Sequence, residues 1–279
     1  MRNLLFFGLL CSPLFAFANP EACGVESRPN VVVIGYWPPT NEMLRPWDAR
    51  QDDWQGGNWE NSGYDIYSFF PEFPPDGDPT NDEHGSPGRT GTGPFPVDYQ
   101  ATSRDFWRLV PPLEPRLLIT TSRGGGIAWE LEAVEGGHGT ATKADPAQDW
   151  YNDGFGSETL PQQQTIDPRS WQAIQTYRAG RRLTSTLPLS NIAAKTKSLA
   201  VTKIDHGTSG DYLSGFLGLH GIYYQRTHDH TLAAGHIHVG TRVTSDLARR
   251  LIQASLRSII EVYPPPPNPD CDAAGPPAK

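Results

Sequence analysis

Short apolar runs alternate with amphipathic stretches along this chain. Residues 30–36 (NVVVIGY), 116–121 (RLLITT), 199–204 (LAVTKI) and 235–239 (GHIHV) are brief, apolar and rich in β-branched side chains. Runs of that length and character read as buried strands. A further strand is expected over 64–70. Between them lie helix-like segments at 99–109, 189–197, 211–225 and 244–263. The last is a long amphipathic helix with Leu247, Leu251, Leu256, Ile259 and Ile260 as its core contacts and Thr244 or Ser245 as its cap. In 211–225, Leu213, Phe216, Leu217, His220 and Tyr224 fall on one helical face. Strands alternating with helices predict an α/β fold: a three-layer α/β/α sandwich around a mostly parallel sheet.

Two segments break the rhythm. Residues 50–96 and 136–164 are rich in Gly, Pro, Asp, Asn and Trp. Loops this long in a compact domain are functional or mobile, so both read as surface insertions rimming a site.

The termini change the picture of where the chain works. Arg2, the apolar run from Leu4 to Leu10, and small residues at Ala16 and Ala18 make residues 1–18 a secretory signal peptide, cleaved after Ala18. The run is short for a bilayer span and is broken by Ser12 and Pro13, against a membrane anchor. A periplasmic or extracellular protein is expected, soluble after cleavage and free of the membrane. The expected layout is an N-terminal segment over 19–29, one domain over 30–263 and a Pro-rich tail over 264–279. Cleavage leaves Cys23 and Cys271 at opposite ends of the chain. In an oxidising compartment this pair is expected to close a disulfide. The formal charge is −8 and no Lys/Arg stripe exists, so nucleic acid is not an expected partner.

Candidate chemistry sits in three separated segments. Ser214, in SGDYLSGFLGLH, follows capping residues (Ser209, Asp211) and so lies in the first turns of a helix, where it reads as an ordinary helix-start serine or, given free backbone N–H groups, as a nucleophile beside an oxyanion site. His238, in AAGHIHVG, shares a strand face with His236 and is placed either as a general base or as a buried structural histidine. An H-x-H pair on a strand also chelates metals, but no Cys or HExxH helper accompanies it, and neither metal nor cofactor is expected. Glu130, in GGGIAWELEA, follows a glycine triplet, Gly124 to Gly126, that lacks the spacing of a phosphate loop. Serine, histidine and a carboxylate together are the means of acyl transfer.

These segments together resemble the pyroglutamyl peptidase I (pyrrolidone-carboxylate peptidase) family. VVVIGYWPP with LRPW is similar to its first strand and G-F-x-P-F…N-P-S loop. GGGIAWELEA is similar to its G-G-R-x-x-I-x-x-E-R-x-A element, with Ile127, Glu130 and Ala133 in register. TSTLPL is similar to its S-T-L-P, SGDYLSGFL to its A-G-x-Y-x-C-N, and AGHIHVG to its A-G-F-I-H-V-P. The resemblance runs from about Asn30 to Tyr263. It implies Glu130 and His238 as the catalytic carboxylate and histidine, with Ser214 in place of the family's cysteine. It also implies a substrate surface from Tyr36, Trp37, Pro38, Gly124, Gly125 and Gly126, and a small peptide or acyl substrate. Gly215 departs from the family's Asn, Gly240 from its Pro and Gly124 from its Arg. Together with the signal segment, the resemblance makes the expected function an exported peptidase or amidase using Ser-His-Glu. The alternative is an inactive homologue binding a peptide or acyl ligand in the same place.

Overall fold

In the computed structural model, residues 28–36, 40–73, 91–136, 182–207 and 212–266 are described. The signal segment, Cys23, Trp37, Pro38, Ser209, Asp211 and Cys271 lie outside the described residues.

Six strands form the main sheet in the order β2-β1-β3-β8-β4-β7. They are β1 (Asn30–Ile34), β2 (Asp65–Phe69), β3 (Leu117–Gly124), β4 (Trp129–Glu132), β7 (Thr202–Asp205) and β8 (Ala233–Gly240). All neighbours are parallel except β4 and β8. A small antiparallel pair joins β5 (Val134–Gly136) to β6 (Arg182–Thr184). The expected fold class is therefore observed.

Because strand side chains alternate, each face of the sheet receives its own apolar set. On one face Val31, Val33, Leu117, Ile119, Trp129, Leu131, Ile237 and Val239 pack with a layer of helices. That layer comprises α1 (Thr40–Leu44), α3 (Leu189–Thr196) and α5 (Ser245–Val262). Leu251, Leu256 and Ile259 of α5 are fully buried, Leu247 and Ile260 pack at its edge, and the Thr244 hydroxyl caps its first turn by accepting from the Leu247 N–H. On the other face Val32, Ile34, Leu118 and Ala234 pack with α2 (Tyr99–Leu109) and α4 (Leu213–Thr227). Asp98 caps α2 by accepting from the Ala101 N–H. The five α4 residues assigned to one face from the sequence are all buried.

The first part of the 50–96 segment is not a loose insertion. Trp59, Tyr64, Ile66 and Phe70 are core residues, and the Trp54 indole N–H donates to the Ile66 carbonyl. β4 is the main-sheet strand the sequence pattern left out, as β5 and β6 are of the small pair. Its register on β8 places Trp129 and Leu131 in the apolar layer and turns Glu130 and Glu132 to the opposite face. No described helix is long and apolar enough to cross a membrane.

Candidate active site

The face covered by α4 is apolar at one end of β3 and β8 and polar at the other. Along β3 it runs Leu118, Thr120, Ser122; along β8 it runs Ala234, His236, His238, each residue beside its partner in the parallel register. β4 adds Glu130 opposite His238 and Glu132 opposite His236, and β7 adds Lys203 beside Glu130 and Asp205 beside Glu132. One strand period thus gathers eight polar side chains into a single patch.

His238 is its centre. Its Nδ1 donates to Glu132 Oε1 at 2.8 Å, with both groups buried. Its Nε2 makes no hydrogen bond among the described residues. The carboxylate that holds the imidazole is Glu132, which corrects the assignment of Glu130 to that place. Glu130 is engaged elsewhere: the Lys203 ammonium, its register partner on β7, forms an ion pair with it. Burial pushes the Glu130 carboxyl above the usual carboxylate range, with Asp205 and Glu132 adding to the effect and Lys203 opposing it. The same ion pair raises Lys203. Asp205 is lowered first by the Gly207 N–H, which donates to it at 2.6 Å, and then by Glu130.

Beneath His238 lies His236, fully buried, with the two rings perpendicular at 4.8 Å. Its Nδ1 bonds Thr120 Oγ1 at 2.7 Å and its Nε2 bonds Ser122 Oγ at 2.8 Å. Burial drives it well below the ordinary histidine value, so it is a neutral ring locked by two hydroxyls.

Gly124 and Gly240 let the backbone close over the site. A Cβ at Gly124 would meet His238 Cβ at 2.8 Å. One at Gly240 would meet Gly126 O at 2.6 Å and Ala128 N at 2.8 Å. Gly126 has φ +65°, and around Gly125 there is open space. The triplet is therefore a tight turn folded across the end of β8, held there by Gly240 N–H donating to Ala128 O and Arg242 N–H to Gly126 O.

Ser214 is the second residue of α4, following Tyr212 as the extended residue that starts the helix, and it is half-buried. Gly221 brings α4 close to β3, its virtual Cβ 3.2 Å from Thr120. Ser214 stands two turns nearer the helix N-terminus, at about 10 Å along the axis. Among the described residues no hydrogen bond joins Ser214 Oγ to the His238 ring. Tyr36, expected on a substrate surface, is a core residue: it is 1% exposed and its hydroxyl donates to Thr102 Oγ1 at 2.5 Å.

Glu132, Lys203 and Asp205 escaped the sequence reading. The W-E-L-E alternation carried the signal, since apolar and acidic residues at period two put both carboxylates on one strand face.

The fold is that of pyrrolidone carboxyl peptidases. The enzyme of that name from Thermococcus litoralis superposes with a TM-score of 0.54 over 84% of this chain and 94% of its own, at 14% identity. The enzyme from Pyrococcus furiosus gives 0.54 over 84% of this chain and 99% of its own, also at 14%. No protein-family model matches the chain, and no curated sequence matches it.

Proposed function

We propose that the protein is a hydrolase of the pyroglutamyl-peptidase type, cleaving a peptide or related acyl bond with Ser214, His238 and Glu132. The observation that carries the reading is His238 itself: Nδ1 held by a buried carboxylate at 2.8 Å and Nε2 left to receive a proton. That is the geometry of a general base whose tautomer is set by a carboxylate. Ser214 stands at the start of the helix that covers this face.

In the reaction, Ser214 Oγ attacks the carbonyl carbon and its proton passes to His238 Nε2. The carbonyl oxygen becomes an oxyanion met by free N–H groups of the first turn of α4. Collapse breaks the bond to the leaving group, which takes the proton from His238. Water, deprotonated by the same nitrogen, then attacks the acyl-serine, and its breakdown returns the proton to Ser214. A serine hydroxyl, unlike a thiol, is not ionised beforehand, so the base must act during attack. A carboxylate held on Nδ1 stabilises the imidazolium that forms.

The proposal includes export: the signal segment over 1–18 and the Cys23–Cys271 pair accord with a site that avoids a readily oxidised thiolate. Intact mass of the secreted protein, before and after reduction, tests both. A second reading, a binder of a peptide or small acyl ligand at the same site, draws on the missing Ser214–His238 hydrogen bond. A fluorogenic panel of pyroglutamyl amides, other N-acyl amides and simple esters separates the two. Turnover above the uncatalysed rate supports the hydrolase, and uniform inertness with saturable binding supports the binder.

A further inference from the structure

The H-x-H pair at His236 and His238 has the spacing of a strand chelator, yet half of it has no lone pair to give. Both His236 nitrogens are taken by Thr120 and Ser122. The donors that do converge come from β4 and from His238 on β8. Glu130, Glu132 and His238 each offer one donor atom, these atoms lie within 4.8 Å of one another, and all three residues are buried. Independently, Glu132 Oε2 is buried without a hydrogen-bond partner among the described residues, in a side chain only 2% exposed. Its sister oxygen lies on His238 Nδ1, so the orphan belongs to the same cluster. A buried carboxylate oxygen left unpaired is costly, and a cation is the ligand that satisfies it.

We propose that Glu130, Glu132 and His238 form a site for a divalent cation of the zinc type, and that its occupation shuts off the hydrolase. Two carboxylates and one imidazole are the mixed oxygen and nitrogen donors that Zn²⁺ accepts, leaving a fourth position open. Ligands at about 2.0–2.2 Å from a tetrahedral ion stand roughly 3.4 Å apart, so the cluster needs to contract by at most about 1.4 Å. The ammonium of Lys203 is the resident cation on Glu130, and its side chain is half-exposed, so it is free to swing into solvent when a metal arrives. A metal on His238 Nδ1 replaces the hydrogen bond to Glu132 and ties base and carboxylate together. The inhibition rests on the hydrolase reading above; the binding does not.

The test uses the purified protein stripped with EDTA, ZnCl₂ as the probe and a fixed pH of 7.5. Calorimetry is expected to show one saturable Zn²⁺ per chain, with a matching rise in thermal midpoint. Glu130→Gln and Glu132→Gln should each weaken the affinity at least about tenfold. Lys203→Met, which removes the competing ammonium from a half-exposed position, should tighten it. That variant keeps the test open should Glu132→Gln fail to fold. Absence of saturable Zn²⁺ binding, or binding unchanged by Glu130→Gln and Lys203→Met, overturns the site. If turnover is found, Zn²⁺ should suppress it with the midpoint of binding and EDTA should restore it; turnover that rises with Zn²⁺ overturns the inhibitory role. Binding without any turnover in the metal-free protein leaves the cation site standing and removes the hydrolase. Turnover without binding does the reverse.

Discussion

His238 faces Glu130 across the antiparallel β4–β8 ladder, yet its Nδ1 donates to Glu132, one strand period further along. The register partner is drawn away because Lys203 stands directly beside it on β7. Two carboxylates two residues apart therefore do different work. One orients an imidazole, and the other neutralises an ammonium.

Glu132→Gln is expected to lower kcat far more than Glu130→Gln. The amide cannot stabilise an imidazolium and favours the wrong tautomer, an effect of about 10,000-fold where an orienting carboxylate has been neutralised in this way. Glu130→Gln is expected to cost less than about tenfold, because Lys203 rather than His238 loses its partner. Steady-state kinetics of the two variants on one substrate decide it; equal losses would contradict the division of roles, and a larger loss in Glu130→Gln would make Glu130 the orienting carboxylate.

Acid should destabilise the fold before the carboxylates titrate. His220 is fully buried between Ser103 and the Phe216 carbonyl, and burial lowers its pKa from 6.5 to about 3. His236 shifts the same way. Each is neutral in the fold and takes up a proton on unfolding, so stability is full above the unfolded value of 6.5 and falls as pH drops below it. His220 alone should contribute a loss of about 2 kcal/mol between pH 6.5 and 5. Urea unfolding midpoints should be flat from pH 8 to 7 and decline below 6.5. His220→Phe should reduce that slope.

Gly240→Ala should destabilise by about 1–3 kcal/mol, since its Cβ meets backbone atoms of Gly126 and Ala128 that must shift to admit it. Gly124→Ala is the more telling change. Its Cβ meets His238 Cβ at 2.8 Å, so it should displace the base and lower kcat beyond its effect on stability. Thermal midpoints measured beside kcat for both variants separate the two kinds of damage.

Most of the scaffold was legible because it rests on periodicity. The strands at β1, β3 and β8 and the helices at α2, α4 and α5 follow apolar runs and amphipathic faces that nothing else explains. β4 was hidden by its own chemistry, since four residues with two glutamates do not read as a central strand. Its polar face is tolerated because His238 gives Glu132 a partner and Lys203 gives Glu130 one. Missing the strand also led to the choice of Glu130, which similarity to a family motif supplied and register alone would not have corrected. The positions of Ser214 at a helix start and of His238 on one strand face with His236 were legible from local pattern, whereas the roles given to them came from similarity to a family motif. Tyr36 was placed on a substrate surface by similarity to a family loop, but its ring is buried and its hydroxyl donates inward to Thr102.

The central claim is that Ser214 and His238 act together as nucleophile and base. The measurement that tests it most directly is kcat/KM of wild type, Ser214→Ala and Ser214→Cys on the best substrate of the acyl panel. Ser214→Ala should lose about 10,000-fold or more, while Ser214→Cys, whose thiol tolerates poorer base geometry, should retain or gain activity on activated esters. Wild-type turnover that persists undiminished in Ser214→Ala would contradict the account and leave the His238–Glu132 pair to some other chemistry.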